Sequence, residues 1–312
     1  MLSTLSAVSP IFLIACLGYI ATRTGFISQY GAQGLASFVF NLGLPAFLFY
    51  SMATLTLPAQ FPAKFLFFYY LSILLVFCLA LVTSKKLFLF SHKEVVIGAL
   101  GACYANYTLV GLPVLFSVFG EASTLPAFLI ISLHGAIFLT LATLVIEYDV
   151  KGGVSVLHTA FNTLSNALKN PIVASLLVGV LYNMSGFGFF SPIADMFAQI
   201  IHAVIPLSLF LIGAQMASFR LRGRIAPAIY LASLKNLLHP AIVWIIFSFI
   251  DGIDPFWEKI AICMAAVPVG INMLMFANQK QTGIDLASTT IFISIASSMV
   301  TLSFVLWLIN AT

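Results

Sequence analysis

The sequence predicts an all-α polytopic membrane protein. Ten transmembrane helices form two inverted five-helix repeats, each containing one broken helix that crosses its counterpart at mid-depth. Three observations carry this. Of 312 residues, 62% are hydrophobic and 7% charged, with a mean hydropathy of +1.12. A soluble domain carries about 25% charged residues, so this chain cannot cover a water-facing surface. Pro and Gly recur at one spacing: Pro10-Ile11 as Pro171-Ile172, Gly18 as Gly179, Gly25-Phe26 as Gly186-Phe187 and Pro45 as Pro206, each pair 161 positions apart. Finally, Asn106–Pro113 and its counterpart Val267–Leu274 each place a Pro, a Gly and an Asn inside an apolar segment.

A span needs about 20 apolar residues. The spans fall near 5–22, 33–53, 65–83, 94–119, 124–147, 170–185, 194–218, 227–250, 256–279 and 285–309. The first reads as a retained helix. Leu13-Ile-Ala-Cys16 loosely resembles a lipoprotein cleavage box, but no basic residue precedes the apolar run as a signal peptide requires. Cys16, Cys78, Cys103 and Cys263 all sit in hydrophobic segments without a CxxC spacing. They read as small apolar residues, with no disulfide, metal or cofactor implied. The net charge of +4 resides in loops and suggests no nucleic-acid surface.

The loop charges set the topology. Loops one, three, five, seven and nine carry ten basic residues: Arg23, Lys85, Lys86, Lys93, Lys151, Lys169, Arg220, Arg222, Arg224 and Lys280. The even loops carry only Lys64 and Lys259, beside Glu121, Asp251, Asp254 and Glu258. The positive-inside rule puts the odd loops in the cytoplasm and both termini on the extracytoplasmic side of a cytoplasmic membrane. Five spans per repeat is an odd number, so the second copy enters the bilayer upside down.

The interruptions carry the functional expectation. Proline removes a helix hydrogen bond and glycine weakens the turn. Backbone groups freed in lipid are tolerated only where protein or a cavity covers them. Inverted repeats with interrupted helices in matching positions point to the binding site of a secondary transporter. Half-helix N-termini favour an anion, and Asn106 and Asn272 add amide donors, so a small carboxylate is expected. Carbonyl ends at the same crossing are an alternative site for Na⁺.

These residues also carry a resemblance. Asn106-Tyr-Thr-Leu-Val-Gly-Leu-Pro113 resembles the Asn-x(4)-Gly-x-Pro break of the auxin efflux carrier family, which includes PIN-type carriers and bacterial permeases. Pro268-Val-Gly-Ile-Asn-Met-Leu-Met-Phe-Ala277 and Gly283-Ile-Asp-Leu-Ala-Ser288 are similar to its ninth and tenth spans. Leu17-Gly-Tyr19 and Leu44-Pro-Ala46 match its first two. The likeness covers essentially the whole chain. The absence of a large central loop resembles the bacterial branch, which includes malonate and malate permeases. It implies an NhaA-like fold working as an elevator and a homodimer. Residues 1–63 and 151–226 would form the scaffold, and 64–150 and 227–312 the moving transport domain. The implied substrate-binding residues are Asn106, Thr108, Gly111 and Pro113, then Pro268, Gly270 and Asn272, with Asn41, Pro45 and Ser208 on the scaffold. Two departures stand out. Met273 occupies the place of a second Pro in the ninth span, and residues 65–83 lack the acidic residue that plant carriers have in the third.

Other polar residues stand singly in the apolar spans. Lys235, about a third of the way into the eighth span, is a candidate because a buried lysine in a membrane is costly. It would be a fixed charge replacing a coupling ion or a counter-charge for a dicarboxylate; a snorkelling lysine is the bland alternative. His134 is either a protonatable relay or a neutral histidine bonded between helices. Asn41 and its repeat mate His202 lie a turn before a scaffold proline, with Gln215 and Ser208 as weaker candidates. No HExxH, GxSxG or paired intramembrane aspartates suggest an enzyme. The expected function is secondary transport of a small organic anion such as malonate or malate, with Na⁺ or H⁺ open as coupling ion. The rivals are a bile-acid-type symporter and an anion channel.

Overall fold

The computed structural model describes residues 2–56, 61–151, 165, 169–219 and 224–311. Arg220, Arg222 and most of loop five lie outside the described residues. The described residues are predominantly helical: α1 (Leu2–Arg23), α2 (Gln29–Phe38), α3 (Leu44–Thr54), α4 (Ala63–Leu87), α5 (His92–Cys103), α6 (Leu112–Phe119) and α7 (Thr124–Lys151) come first. Then follow α8 (Pro171–Met184), α9 (Ser191–Ser218), α10 (Ile225–Ser233), α11 (His239–Ser248), α12 (Pro255–Ala266), α13 (Asn272–Gln279) and α14 (Ile284–Ala311). Among the described residues, six continuous helical stretches are long and apolar enough to cross a bilayer: 29–54, 63–87, 121–147, 191–218, 225–248 and 284–309. Shorter apolar helices cover 9–23, 107–119 and 171–184. The protein is thus a polytopic, all-helical membrane protein.

Helix starts follow the local chemistry. Ser91 and Glu94 form a capping box ahead of α5, with the Ser91 amide donating to Glu94 Oε2 at 2.9 Å. Asp254 accepts from the Phe256 amide at 2.8 Å, and Pro255 occupies the first turn of α12, where its missing N–H costs nothing.

Three π-helical stretches interrupt the spans, and each ends just before an X-Pro pair. Val39–Gly43 precedes Leu44-Pro45, Tyr107–Gly111 precedes Leu112-Pro113, and Leu234–Leu238 precedes His239-Pro240. A proline inside a helix lacks the N–H and crowds the carbonyl four residues back. The wider turn makes room for the ring. Asn41, Thr108, Lys235 and Asn236 all lie on these stretches, the kind of local widening found often at functional sites. Pro206 sits inside α9 without such a turn.

Small residues bring backbones into contact. A Cβ on Gly18 of α1 would lie 2.0 Å from the Phe210 carbonyl oxygen of α9, and one on Gly213 would lie 1.7 Å from the Ala15 oxygen. Between α8 and α3, a Cβ on Gly179 would lie 2.6 Å from the Phe49 oxygen. Asn183 Nδ2 then donates to the carbonyls of Met52, Ala53 and Leu55, satisfying the open end of α3. Helices α1, α3, α8 and α9 form one closely packed set.

Polar contacts sort the helix ends into two faces. Arg224 pairs with Glu94 at 2.8 Å and Lys280 with Glu147 at 3.2 Å, while His92 Nε2 meets the Val145 carbonyl at 2.9 Å. At the other face Lys64 donates to the Asp251 carbonyl. The first face holds segments from odd loops and the second from even ones.

Candidate functional site

Helices α5 and α6 belong to one span that unwinds at residues 104–106, and α12 and α13 belong to another that unwinds at 267–271. The two extended links run antiparallel and pair through a bridge between Ala105 and Val269. The Asn106 amide donates to the Pro268 carbonyl at 2.8 Å, and the Gly270 amide donates to the Tyr104 carbonyl at 3.0 Å. Backbone groups freed by each break therefore satisfy those freed by the other. Gly270 is required for this approach, because a Cβ there would lie 2.9 Å from the Ala105 oxygen.

The outward-turned amides of the bridge are capped by side chains from flanking helices. Ala105 N–H donates to His134 Nε2 of α7 at 3.4 Å, and Val269 N–H donates to Ser294 Oγ of α14 at 2.9 Å. Ser294 Oγ donates in turn to Asn236 Oδ1 at 2.7 Å, and Asn236 Nδ2 donates to the Ser294 carbonyl at 2.8 Å and Ser297 Oγ at 2.9 Å. Lys235, fully buried, donates to the Ala265 carbonyl at the C-terminal end of α12. A cation suits that position, since the last carbonyls of a helix carry negative partial charge.

On one side of the crossing lies a cavity of about 430 Å³. Its floor is Tyr104 to Thr108 and Gly270 to Asn272, and its walls come from Phe40, Asn41, His134, Asn170 and Gln215. It extends toward the face where α8 begins and α9 ends. Beyond the crossing, Phe47 packs edge-on against Phe116 (5.6 Å between centroids) and Phe128 (6.1 Å). These rings, together with buried Leu112, Val114 and Leu115, form a packed apolar layer on the α6 side of the crossing.

Polar atoms of the floor are ordered by their neighbours. Asn106 caps the π-helical stretch, its Oδ1 accepting from the Leu109 amide at 3.3 Å, which leaves its amide nitrogen for the cavity. Asn272 Nδ2 donates to the Tyr104 hydroxyl at 2.8 Å, so that hydroxyl is set as a donor. Asn170 Oδ1 caps α8 through the Ile172 amide at 2.9 Å. Among the described residues no lysine or arginine lines the cavity. Among the described residues no cluster of His, Cys, Asp and Glu is placed to hold a metal ion.

Of the residues singled out from sequence, the cavity gathers Asn41, Asn106, Thr108, His134, Gln215, Gly270 and Asn272. The others lie elsewhere. Pro268 lines a separate apolar cavity between α1, α9 and α14, because the extended link alternates its two faces. Gly111 is buried against Met264, and Pro113 lies in the core. Pro45 lies in the first turn of α3, and the Ser208 hydroxyl is spent on the Val204 carbonyl at 2.8 Å. Lys235 reaches the end of α12 without touching the cavity. Sequence reasoning passed over Tyr104, Tyr107 and Asn170. Asn170 carried a legible signal as a helix-capping Asn before Pro171; a tyrosine next to a break carries none.

A polytopic chain with two broken helices crossed over a polar cavity has the architecture of a membrane transport protein. Residues 3–306 match the family model described as Membrane transport protein, and the chain belongs to that family, the one that includes the auxin efflux carriers. It is 24% identical over 306 residues to a Rhizobium meliloti (strain 1021) protein named "Putative malonate transporter", covering 97% of this chain and 95% of that one. The assignment is to transport and not to an enzyme.

Proposed function

We propose that the protein is an elevator-type secondary transporter of a small organic anion, with a short dicarboxylate such as malonate as substrate. One observation carries the reading: the Asn106 amide and the Tyr104 hydroxyl, set by Asn272, are donors on the floor of a cavity of about 430 Å³ at the crossing. That volume lies in the range of about 300–1,000 Å³ usual for small-molecule sites. Asn41, Asn170 and Gln215 on the far wall give a second set of amides for the other end of a dicarboxylate. The name of the Rhizobium relative agrees with such a substrate.

In this reading the chain consists of two inverted five-helix repeats. Support comes from element bounds: α4 covers 63–87 and the α10–α11 stretch 225–248, while α7 starts at 124 and α14 at 284. The spacing is not constant through the breaks. Helix α12 begins 163 positions after α5 and α13 begins 160 after α6, because the first link spans residues 104–111 and the second 267–271. Helices α1, α2, α3, α8 and α9 form a dimerising scaffold and the rest moves. The odd loops face the cytoplasm, so the cavity is open inward. Lys235, buried against the Ala265 carbonyl, supplies positive charge near the crossing when an anion is bound.

Thermal-shift screening of the purified protein against a carboxylate panel, with and without Na⁺, tests the reading. A bound ligand stabilises the folded state in proportion to the logarithm of its excess over Kd. Dose-dependent stabilisation by malonate or a similar acid is expected. Stabilisation only by cations, or by no carboxylate at all, would overturn it.

A further inference from the structure

Lys235 is separated from the cavity, yet buried polar side chains connect the two. Tyr107 lines the cavity, and its ring lies 4.5 Å from that of His134. Its hydroxyl is 2.8 Å from the Tyr69 hydroxyl of α4, a buried contact. Two hydroxyls share one hydrogen bond, so one of the two protons needs a further acceptor. The Tyr69 ring lies 6.1 Å from the ring of His239. His239 is 0% exposed, and neither ring nitrogen makes a hydrogen bond of normal geometry among the described residues, although the Ala265 carbonyl that accepts from Lys235 also faces the imidazole. It stands one helical turn beyond Lys235, at the end of the same π-helical stretch. An imidazole buried inside the membrane protein without well-formed hydrogen bonds is costly. Buried polar groups left without a protein partner are commonly bonded by ordered water.

We propose that Tyr107, Tyr69 and His239, joined by water at the orphaned imidazole, form a proton path from the substrate cavity to Lys235. The path deepens the transport reading and rests on it. Each link receives one proton and passes one on. Hydronium in the cavity gives a proton to the Tyr107 hydroxyl, which hands its own to Tyr69. The water at His239 and the imidazole carry it to the Lys235 amine, which becomes ammonium. The titratable groups that face Lys235 or His239 are Cys103 of α5, Tyr69 of α4 and His134 of α7, while Tyr70 of α4 and Cys263 of α12 act on Tyr69. None is a carboxylate, and no described Asp or Glu pairs with Lys235. The counter-charge is thus the cargo itself. Ammonium at Lys235 offsets one of the two charges of bound malonate, and the empty carrier with the amine is neutral. Each state then crosses the bilayer with at most one uncompensated charge, which membranes disfavour less than two.

The test uses the full-length protein in liposomes with radiolabelled malonate. For one proton per anion, a gradient of about one pH unit drives accumulation of up to about tenfold. Wild type is expected to show it, together with proton entry reported by a trapped pH dye. Tyr69→Phe and His239→Gln keep shape but break the path. Both are expected to retain malonate exchange without a gradient and to lose gradient-driven accumulation and dye response. If wild type exchanges malonate but ignores the gradient, or both variants keep the full response, the proton path is wrong and the transport reading stands. If wild type exchanges no malonate, both fall.

Discussion

The Asn106 amide donates to the Pro268 carbonyl at 2.8 Å, and this bond ties together two helices broken about 160 residues apart in sequence. With the reciprocal bond from Gly270 to Tyr104, it makes each interruption the partner of the other. Neither break is a local defect. The crossing is a small two-stranded element buried in a helical protein, and its side chains form the floor of the cavity.

Asn272 is expected to matter through Tyr104. Asn272→Ala removes the acceptor-side bond that orients the Tyr104 hydroxyl. A hydrogen bond to a charged group contributes about 1.5–3 kcal/mol, so malonate affinity should fall by about 10- to 100-fold. Titrated thermal shifts measure this, and an unchanged midpoint without ligand shows the fold is intact.

Asn106→Ala should act on both stability and binding. The residue caps the π-helical stretch through Leu109, and losing such a cap costs about 1 kcal/mol. A lower melting temperature together with loss of the malonate shift is expected. Loss of stability with full retention of binding would place Asn106 in the frame alone.

Gly270→Ala should open the crossing. The added methyl would lie 2.9 Å from one backbone atom of Ala105 and 3.0 Å from another, which cannot move aside as a side chain would. Overpacking of this kind costs about 1–3 kcal/mol. Gly188→Ala, with nothing within 4 Å, is the matched control and should leave the melting temperature unchanged.

Ser294→Ala leaves the buried Val269 amide and Asn236 Oδ1 without their partner. An unsatisfied buried group costs about 1–3 kcal/mol. The expected result is a lower midpoint in thermal unfolding, with malonate binding weakened because the second link loosens. Lys235→Met should lower stability by a similar route, stranding the Ala265 carbonyl, and should also abolish net uptake.

Much of this was legible in the chain. The unwound segments fall inside Asn106–Pro113 and Val267–Leu274, or within two residues of them, because Pro and Gly mark where a helix cannot hold. Asn106 and Asn272 could be picked out because an amide in an apolar span has few bland explanations. The direction of each side chain was not legible. Pro268 and Gly270 are two residues apart, yet the proline contributes to an apolar cavity and the glycine to the polar one. Helical periodicity says nothing about an extended link. Tyr104 reads in sequence as one more aromatic in a hydrophobic run, and its role depends on a residue 168 positions away. The spacing of 161, continued through the breaks, misjudged the register, since one link is longer and includes a π-helical stretch.

The aromatic seal of Phe47, Phe116 and Phe128 has an electrical consequence. A wet vestibule conducts, whereas packed rings insulate. A transmembrane voltage would therefore drop mainly across those few side chains instead of evenly over the bilayer's thickness. An anion resting against Asn106 would already share the potential of the open side. The voltage-sensitive step should then be the movement that carries the seal past it, and not the arrival of the anion.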